Sequence, residues 1–460
     1  MTASATSLED REWSRSLGRL SRSSVGEKRW PPVPVAVLLI ALVSPWVFSI
    51  GSLAISPYRL VLLALLVPCL VRWMTGKAGK IRLADILLLL FCIWSIIALI
   101  AVHGLETGLE SGGMLLVESM GGYLVARCYI RSAEHFRATA KLLFLLVLLL
   151  LPFAIAEAVT GQRWLLKLFR AFAPTIAEGQ TDPRWGLTRV QGPLEHPILF
   201  GVFCGAPLAM IALVYRGKLG VMQRYSMAGL VALTAMLSLS SGPIVAMLVQ
   251  IGLLVWNGLL RNVASRWRIL WVLTAVGYLA LEIPTSQTVP MILTRFAFDQ
   301  WTAFYRLLIF DYGWQSVMAH PFFGTGFNDW LHPSWMSSSI DMLWLVPAVR
   351  HGLPAFILYM GAFFAAAHAV GFQPGLDGRQ TDCRTAYMIF LTALFLAGWT
   401  VHFWNATYVL FMFLVGSGLW LCDATAEAEP KPSGLRGRPP SGQLRRPAPR
   451  HAQRTRRSPS

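Results

Sequence analysis

Residues 83–102 read LADILLLLFCIWSIIALIAV. About twenty predominantly apolar residues are what an α-helix needs to cross the ~30 Å hydrocarbon core of a bilayer, at ~1.5 Å of rise per residue. The composition around this run points the same way. The chain has 460 residues, of which 55% are hydrophobic and only 14% charged, too apolar for a soluble fold to bury. Outward from 83–102, similar runs recur at 35–50, 57–73, 109–129, 142–159, 197–215, 225–239, 244–260, 269–283, 353–372, 387–401 and 406–422. The expectation is an all-α polytopic membrane bundle of about twelve transmembrane helices. Alternating strand patterns are missing, so a β-barrel is not expected.

The formal charge of +17 would suit nucleic acid if it were gathered on one domain. Instead the Lys and Arg residues sit in short links and in the two tails, as topology signals do. With the N-terminus inside, every second link is basic and inside, and both termini are cytoplasmic. The expected organisation is a basic cytoplasmic tail at 1–34, a transmembrane domain at 35–422 and a disordered basic cytoplasmic tail at 423–460. Residues 1–34 are too long and polar ahead of the first apolar run to read as a cleaved signal peptide. The arginine-rich C-terminal tail is placed to touch anionic membrane lipid. The six cysteines include no CxxC pair and fall outside both long loops, so neither a disulfide framework nor a cysteine metal site is expected.

Two long loops, 160–196 and 284–352, then fall on the outer, periplasmic side. In the first, Arg189, Glu195 and His196 stand just before Pro197, a residue suited to a first helical turn. An arginine beside helix-start amides suits a phosphate, because guanidinium is planar, permanently charged and donates in pairs. The bland alternative for Arg189 is a solvated interfacial anchor. The second loop carries Arg295, Arg306, His320, His332, Asp341, Arg350 and His351, a concentration of polar groups in a chain that has few elsewhere. Residues 300–320 are aromatic on most sides and are expected to lie as a helix in the headgroup layer, with Arg306 on it. The bland reading of Arg306 is a snorkelling cation, and of His332 a polar loop residue. Arg350 and His351 lie at the mouth of the tenth span if that span starts at Leu353. They lie ~13 to 15 Å deep if it starts at Asp341, where charge is costly unless it lines a cavity. Pro347 and Pro354 favour a broken entry.

No HExxH, Walker A or acidic DxD-type cluster is present, so no metal and no cofactor are expected. A reaction on the outer face would draw on an activated donor already held in lipid. These residues carry a resemblance. Arg189 precedes Gly192-Pro193 at a span entry, and Ser240-Ser241-Gly242 forms an outer turn. Arg306 lies on an aromatic helix leading into His320-Pro-Phe-Phe-Gly-Thr-Gly326, and Gly352 opens a later span. In this order, over about residues 152–371, the chain resembles the O-antigen ligase and polysaccharide polymerase superfamily of bacterial inner-membrane glycosyltransferases. The resemblance implies transfer of glycan from an undecaprenyl-diphosphate-linked oligosaccharide to a glycan or lipid acceptor on the periplasmic face. Envelope polysaccharide assembly proteins are the implied partners, and nucleic acid is not. It implies that Arg189 and Arg306 hold the diphosphate, with Arg350 a further candidate, and that a histidine or acid of the loops activates the acceptor hydroxyl. That base is open among His332, Asp341, His351 and His196. The chain has Ser241 where the family often has arginine, and Ser339-Ile340-Asp341 where it often has His-Asn. These departures lie at catalytic positions, which favours polymerase over ligase. The competing class is a transporter or flippase, for which repeated halves and mid-membrane charges would be expected.

Overall fold

The computed structural model describes residues 30–50, 53–179, 182–282 and 300–424. Nearly all of both expected tails, together with Arg295, lies outside the described residues. Among the described residues the regular structure is almost wholly helical. The strands are one short antiparallel pair, β1 (Phe48–Ile50) and β2 (Leu53–Ile55). Seven segments are long and apolar enough to cross a membrane: Pro57–Met74, Leu83–His103, Ala133–Thr160, Pro197–Val214, Ser241–Leu259, Leu345–Gly371 and Asn405–Cys422. This is the make-up of a multi-pass membrane protein. The surface agrees. Leu60, Leu63, Val67 and Val71 form an exposed stripe on one helix, and Ile86, Leu90, Ile93 and Ile97 another on the next. Such apolar faces at helical spacing suit lipid and not water.

The local sequence explains where helices start and stop. Helix α1 (Val33–Leu42) is only ten residues, about 15 Å. The run expected as a first span at 35–50 therefore leaves the helix before Pro45 and ends in β1. Helix α2 (Pro57–Met74) takes a proline in its first turn, where no donor is lost. It is followed by α3 (Leu83–His103). The weak, Gly-rich run at 109–129 becomes α4 (Leu105–Leu116), a π-helical turn (Val117–Gly121) and α5 (Gly122–Tyr129). Ser132 caps α6 (Ala133–Thr160) by accepting from the His135 amide at 3.2 Å. Gly161, at φ 71°, ends it before the short α7 (Trp164–Arg170).

After the first long loop come α8 (Pro197–Gly205) and α9 (Leu208–Val214), then α10 (Val221–Met236), α11 (Ser241–Leu259) and α12 (Arg266–Glu282). The aromatic segment of the second loop is helical, as expected: α13 (Gln300–Ala319). Helix α14 (Leu345–Gly371) is interrupted at Gly352, φ 85° and ψ 174°. The expected broken entry is present, and the break falls on the glycine between the two prolines. Asp377 and Gln380 cap α15 (Gly378–Gly398) reciprocally, at 2.7 and 3.1 Å. Helix α16 (Asn405–Ser417) and a closing 3-10 turn (Leu419–Cys422) end the described chain.

The segments Pro197–Val214 and Asn405–Cys422 are almost wholly buried and stand at the centre. Helix α14 packs along α3, α16 along α5, and α9 along α15. The six cysteines are buried free thiols.

One end of the bundle is clamped by charge. Asp85, at the start of α3, accepts from the Tyr123 hydroxyl, from Trp73 Nε1 at 3.0 Å and from the Arg82 amide at 2.9 Å, and lies 3.6 Å from Arg127 Nε. Asp423 pairs with Arg82 at 2.6 Å, Arg127 at 3.4 Å and Arg131 at 3.3 Å. The other end of α3, at His103, faces the candidate site.

Candidate functional site

The site is built on the link between α15 and α16, residues 399–404. Arg306 on α13 donates from Nε to the Thr400 carbonyl at 2.8 Å. The turn opening α11 reaches the same link, with Gly242 packed so tightly on Val401 and Thr400 that a Cβ would be obstructed. Arg189 is anchored two residues before that glycine, donating from Nη2 to Ser240 Oγ at 2.8 Å, while Ser240 donates to the Ser238 carbonyl. The segment after Asp341 runs alongside, its Leu343 amide donating to the Val401 carbonyl at 3.1 Å. Two arginines from separate long loops therefore border one short link.

The histidines report the same convergence. His196 accepts the Ile198 amide on Nδ1 at 3.2 Å, and its ring lies 6.3 Å from that of Trp404 on the link. Burial holds its pKa below the ordinary value, and the Arg189 charge lowers it further against the opposing pull of Asp341. His402, on the link, is half-buried. Burial brings it down to about 4, with Asp341 raising it and Arg350 lowering it. Arg189 itself falls to about 10, first by burial and then by the neighbouring Arg184. Its Nε has no hydrogen-bond partner among the described residues. Asp341 accepts from Ser339 Oγ at 2.7 Å.

Arg350 stands at the break in α14. It donates from Nη1 to the Gly326 carbonyl at 2.8 Å and lies over the Phe327 ring. The turn His320–Gly326 docks into this break. The Thr325 amide donates to the Val349 carbonyl at 2.7 Å, the Gly326 amide to the Arg350 carbonyl at 3.0 Å, and the Leu353 amide to the Pro321 carbonyl at 2.7 Å. His103 Nε2 accepts the Phe327 amide at 2.7 Å and closes the turn from α3.

Of the expected residues, Arg306 thus reaches the link at Thr400, Asp341 and Arg350 act electrostatically on His402, and His196 lies by Trp404 under the influence of Arg189 and Asp341. His351 is buried beside Arg350, and its Nδ1 has no partner among the described residues. His332 is tied locally to Asp329 at 3.1 Å and to the Pro333 carbonyl at 2.9 Å, with Trp330 beside its ring. The hydrogen bond to Pro333, opposed by partial burial and helped by Asp329, raises its pKa. Among the described residues no group of three or more His, Cys, Asp or Glu side chains is arranged to hold a metal ion.

Sequence reasoning passed over His402, which looked like a mere connector between two spans. It also passed over a polar chain next to the site. Glu118, in the π-helical turn, accepts from Arg59 Nε at 2.8 Å and from the Tyr58 hydroxyl at 3.2 Å. Arg59 Nη2 donates to Asn405 Oδ1 at 3.1 Å, and Asn405 Nδ2 donates to Glu195 Oε1 at 2.9 Å. Glu195 Oε2 is buried with no partner among the described residues, and burial raises its pKa. Asn405 sits at φ 53°, a left-handed conformation that asparagine tolerates better than most residues. The signal was available in Glu118: an ionisable group inside an apolar run marks function or a partner.

His402 makes stability depend on pH. Its folded pKa lies below its ordinary 6.5, so the unfolded chain binds the proton more readily. The contribution is complete above the ordinary value and is lost as pH falls from there to about 4. Thermal unfolding of the wild type should therefore move to lower temperature across that window, and His402→Gln should flatten the slope. Identical pH profiles for the two proteins would refute this.

No protein-family model matches the chain and no curated protein matches it, so the functional case rests on the geometry of this site.

Proposed function

We propose that the protein is a membrane glycosyltransferase. It transfers or polymerises glycan repeat units from an undecaprenyl-diphosphate carrier on the periplasmic face of the bacterial inner membrane. In this reading the chain crosses the membrane about twelve times with both termini cytoplasmic. The carrying observation is that Arg189 and Arg306, from different loops, border the same link as His196, His402 and Asp341.

Two guanidiniums suit a diphosphate leaving group, whose negative charge grows as the bond from the sugar anomeric carbon to the phosphate oxygen breaks. The incoming acceptor hydroxyl forms the new bond to that carbon and gives its proton to a base. His196 and Asp341 fit the base better than His332, whose described partners are all local. His196 is held in the neutral form that can take a proton. Asp341 favours the imidazolium that results. Glu195, raised by burial, stands next in sequence as a second proton acceptor.

The test is to replace Arg189 and Arg306 singly with alanine in the native host. Each variant should insert normally, accumulate lipid-linked repeat units and lose polymer or conjugate on the order of a hundredfold, the size expected for one lost transition-state donor. Unchanged polymer in both would sink the proposal. Lipid-linked units retained only on the cytoplasmic leaflet would favour a flippase instead.

A further inference from the structure

The clamped end of the bundle holds a second feature, remote from the site above. A cavity of about 640 Å³ is lined by Arg137, Arg216, Lys218, Arg379, Thr381 and Asp382 among others. Three separate parts of the chain build it: the first turns of α6, the α9–α10 link and the start of α15. They are fixed relative to one another. Arg137 Nε donates to the Val214 carbonyl at 3.3 Å, the Tyr215 hydroxyl donates to the Arg137 carbonyl at 3.1 Å, and α9 packs along α15. The wall has four cationic side chains and one carboxylate, Asp382, which takes Arg216 at 3.3 Å. Lys218 is held below its ordinary pKa, first by partial burial and then by the Arg379 charge, so the cations crowd one another. Topology signals need only be basic and close to the surface. They do not need to converge from three elements on a cavity large enough for a small molecule.

We propose that this cavity binds a phosphate-bearing anion, either the headgroup of an acidic membrane lipid or a free phosphate compound. Arginine donates to phosphate oxygens in parallel pairs, and lysine adds a point charge. Basic pockets between membrane helices on the cytoplasmic side commonly take lipid phosphates in this way. Apolar side chains stand at the neighbouring helix ends: Val221 and Met222 open α10 and Phe372 follows α14, all strongly exposed. They offer acyl chains a surface beside the cations, which favours the lipid source.

The test uses the purified full chain in a neutral detergent. Phosphatidylglycerol, phosphatidylcholine and inorganic phosphate are titrated separately while thermal unfolding is followed. Stabilisation by phosphatidylglycerol and not by phosphatidylcholine is expected. In the Lys218→Gln, Arg379→Gln double variant the half-saturating concentration should rise about five-fold for each charge removed. Both residues are exposed, so the ligand-free variant should melt like the wild type, and Lys218→Arg with Arg379→Lys should restore the affinity. Stabilisation by inorganic phosphate, with the same loss in the variant, would identify a soluble ligand for the site. No stabilisation by either anion, or an equal response of wild type and variant, overturns the proposal.

Discussion

Gly352→Ala should collapse the entry to α14. Gly352 has φ 85° and ψ 174°, a region that is essentially glycine's alone, and strain of this kind costs about 1–3 kcal/mol. The steric term adds to it, because a Cβ at this position would overlap the Phe322 carbonyl group and crowd the Pro321 oxygen. Neither is the tip of a flexible side chain. Both belong to the backbone of the turn that docks into the break, so relief requires the turn to leave. The Leu353–Pro321, Thr325–Val349 and Gly326–Arg350 pairings would then be lost together, and with them the anchor of Arg350. The measurement is hydrogen exchange at the Thr325, Gly326 and Leu353 amides together with the melting temperature in detergent. All three amides should exchange much faster and melting should fall by many degrees. Protected amides in the variant would show that the turn does not depend on the break.

Asp85→Ala should be comparably destructive from the opposite end of α3. Asp85 has no exposed surface and serves as acceptor for Tyr123, Trp73 and the Arg82 amide, with the fully buried Arg127 close by. Removing one partner of a buried ionic network costs about 3–5 kcal/mol, because the remaining charge and donors stay buried without compensation. Arg127 would retain Asp423 and the Ala78 and Lys80 carbonyls but lose the carboxylate at its Nε. Purified yield and melting temperature should both drop sharply, whereas Arg189→Ala should leave both near the wild type. A variant that melts like the wild type would mean that Asp423 alone holds the clamp.

The legible part of the fold was the part written locally. The run at 83–102 is a helix because its apolar length admits little else, and Pro347 and Pro354 announced a broken α14. Arg189 stood out as a cation beside a helix start, and Arg306 as a lone cation on an aromatic helix. What stayed hidden depends on partners far along the chain. Arg59 meets Asn405 across 346 residues, and neither shows a local pattern. The run at 35–50 is apolar enough for a span, yet Phe48–Ile50 finds a strand partner in Leu53–Ile55, which no helical periodicity discloses. The π-helical turn that turns Glu118 toward Arg59 leaves no trace in the apolar count, because one extra residue per turn does not alter composition. His402 was hidden by the shortness of its link, whereas its importance comes from what the two long loops bring to it.

The bond between Asn405 and Arg59 has a meaning for biogenesis. Helix α16 is the last helix of the described chain, it is almost wholly buried, and its first residue joins Arg59 to Glu195. Helices made earlier enter the membrane with its berth unfilled, and Arg59 and Glu195 lack their shared Asn405 partner until residue 405 has been made. A nascent chain halted before residue 405 would carry both arginine-bearing loops and still have no completed site.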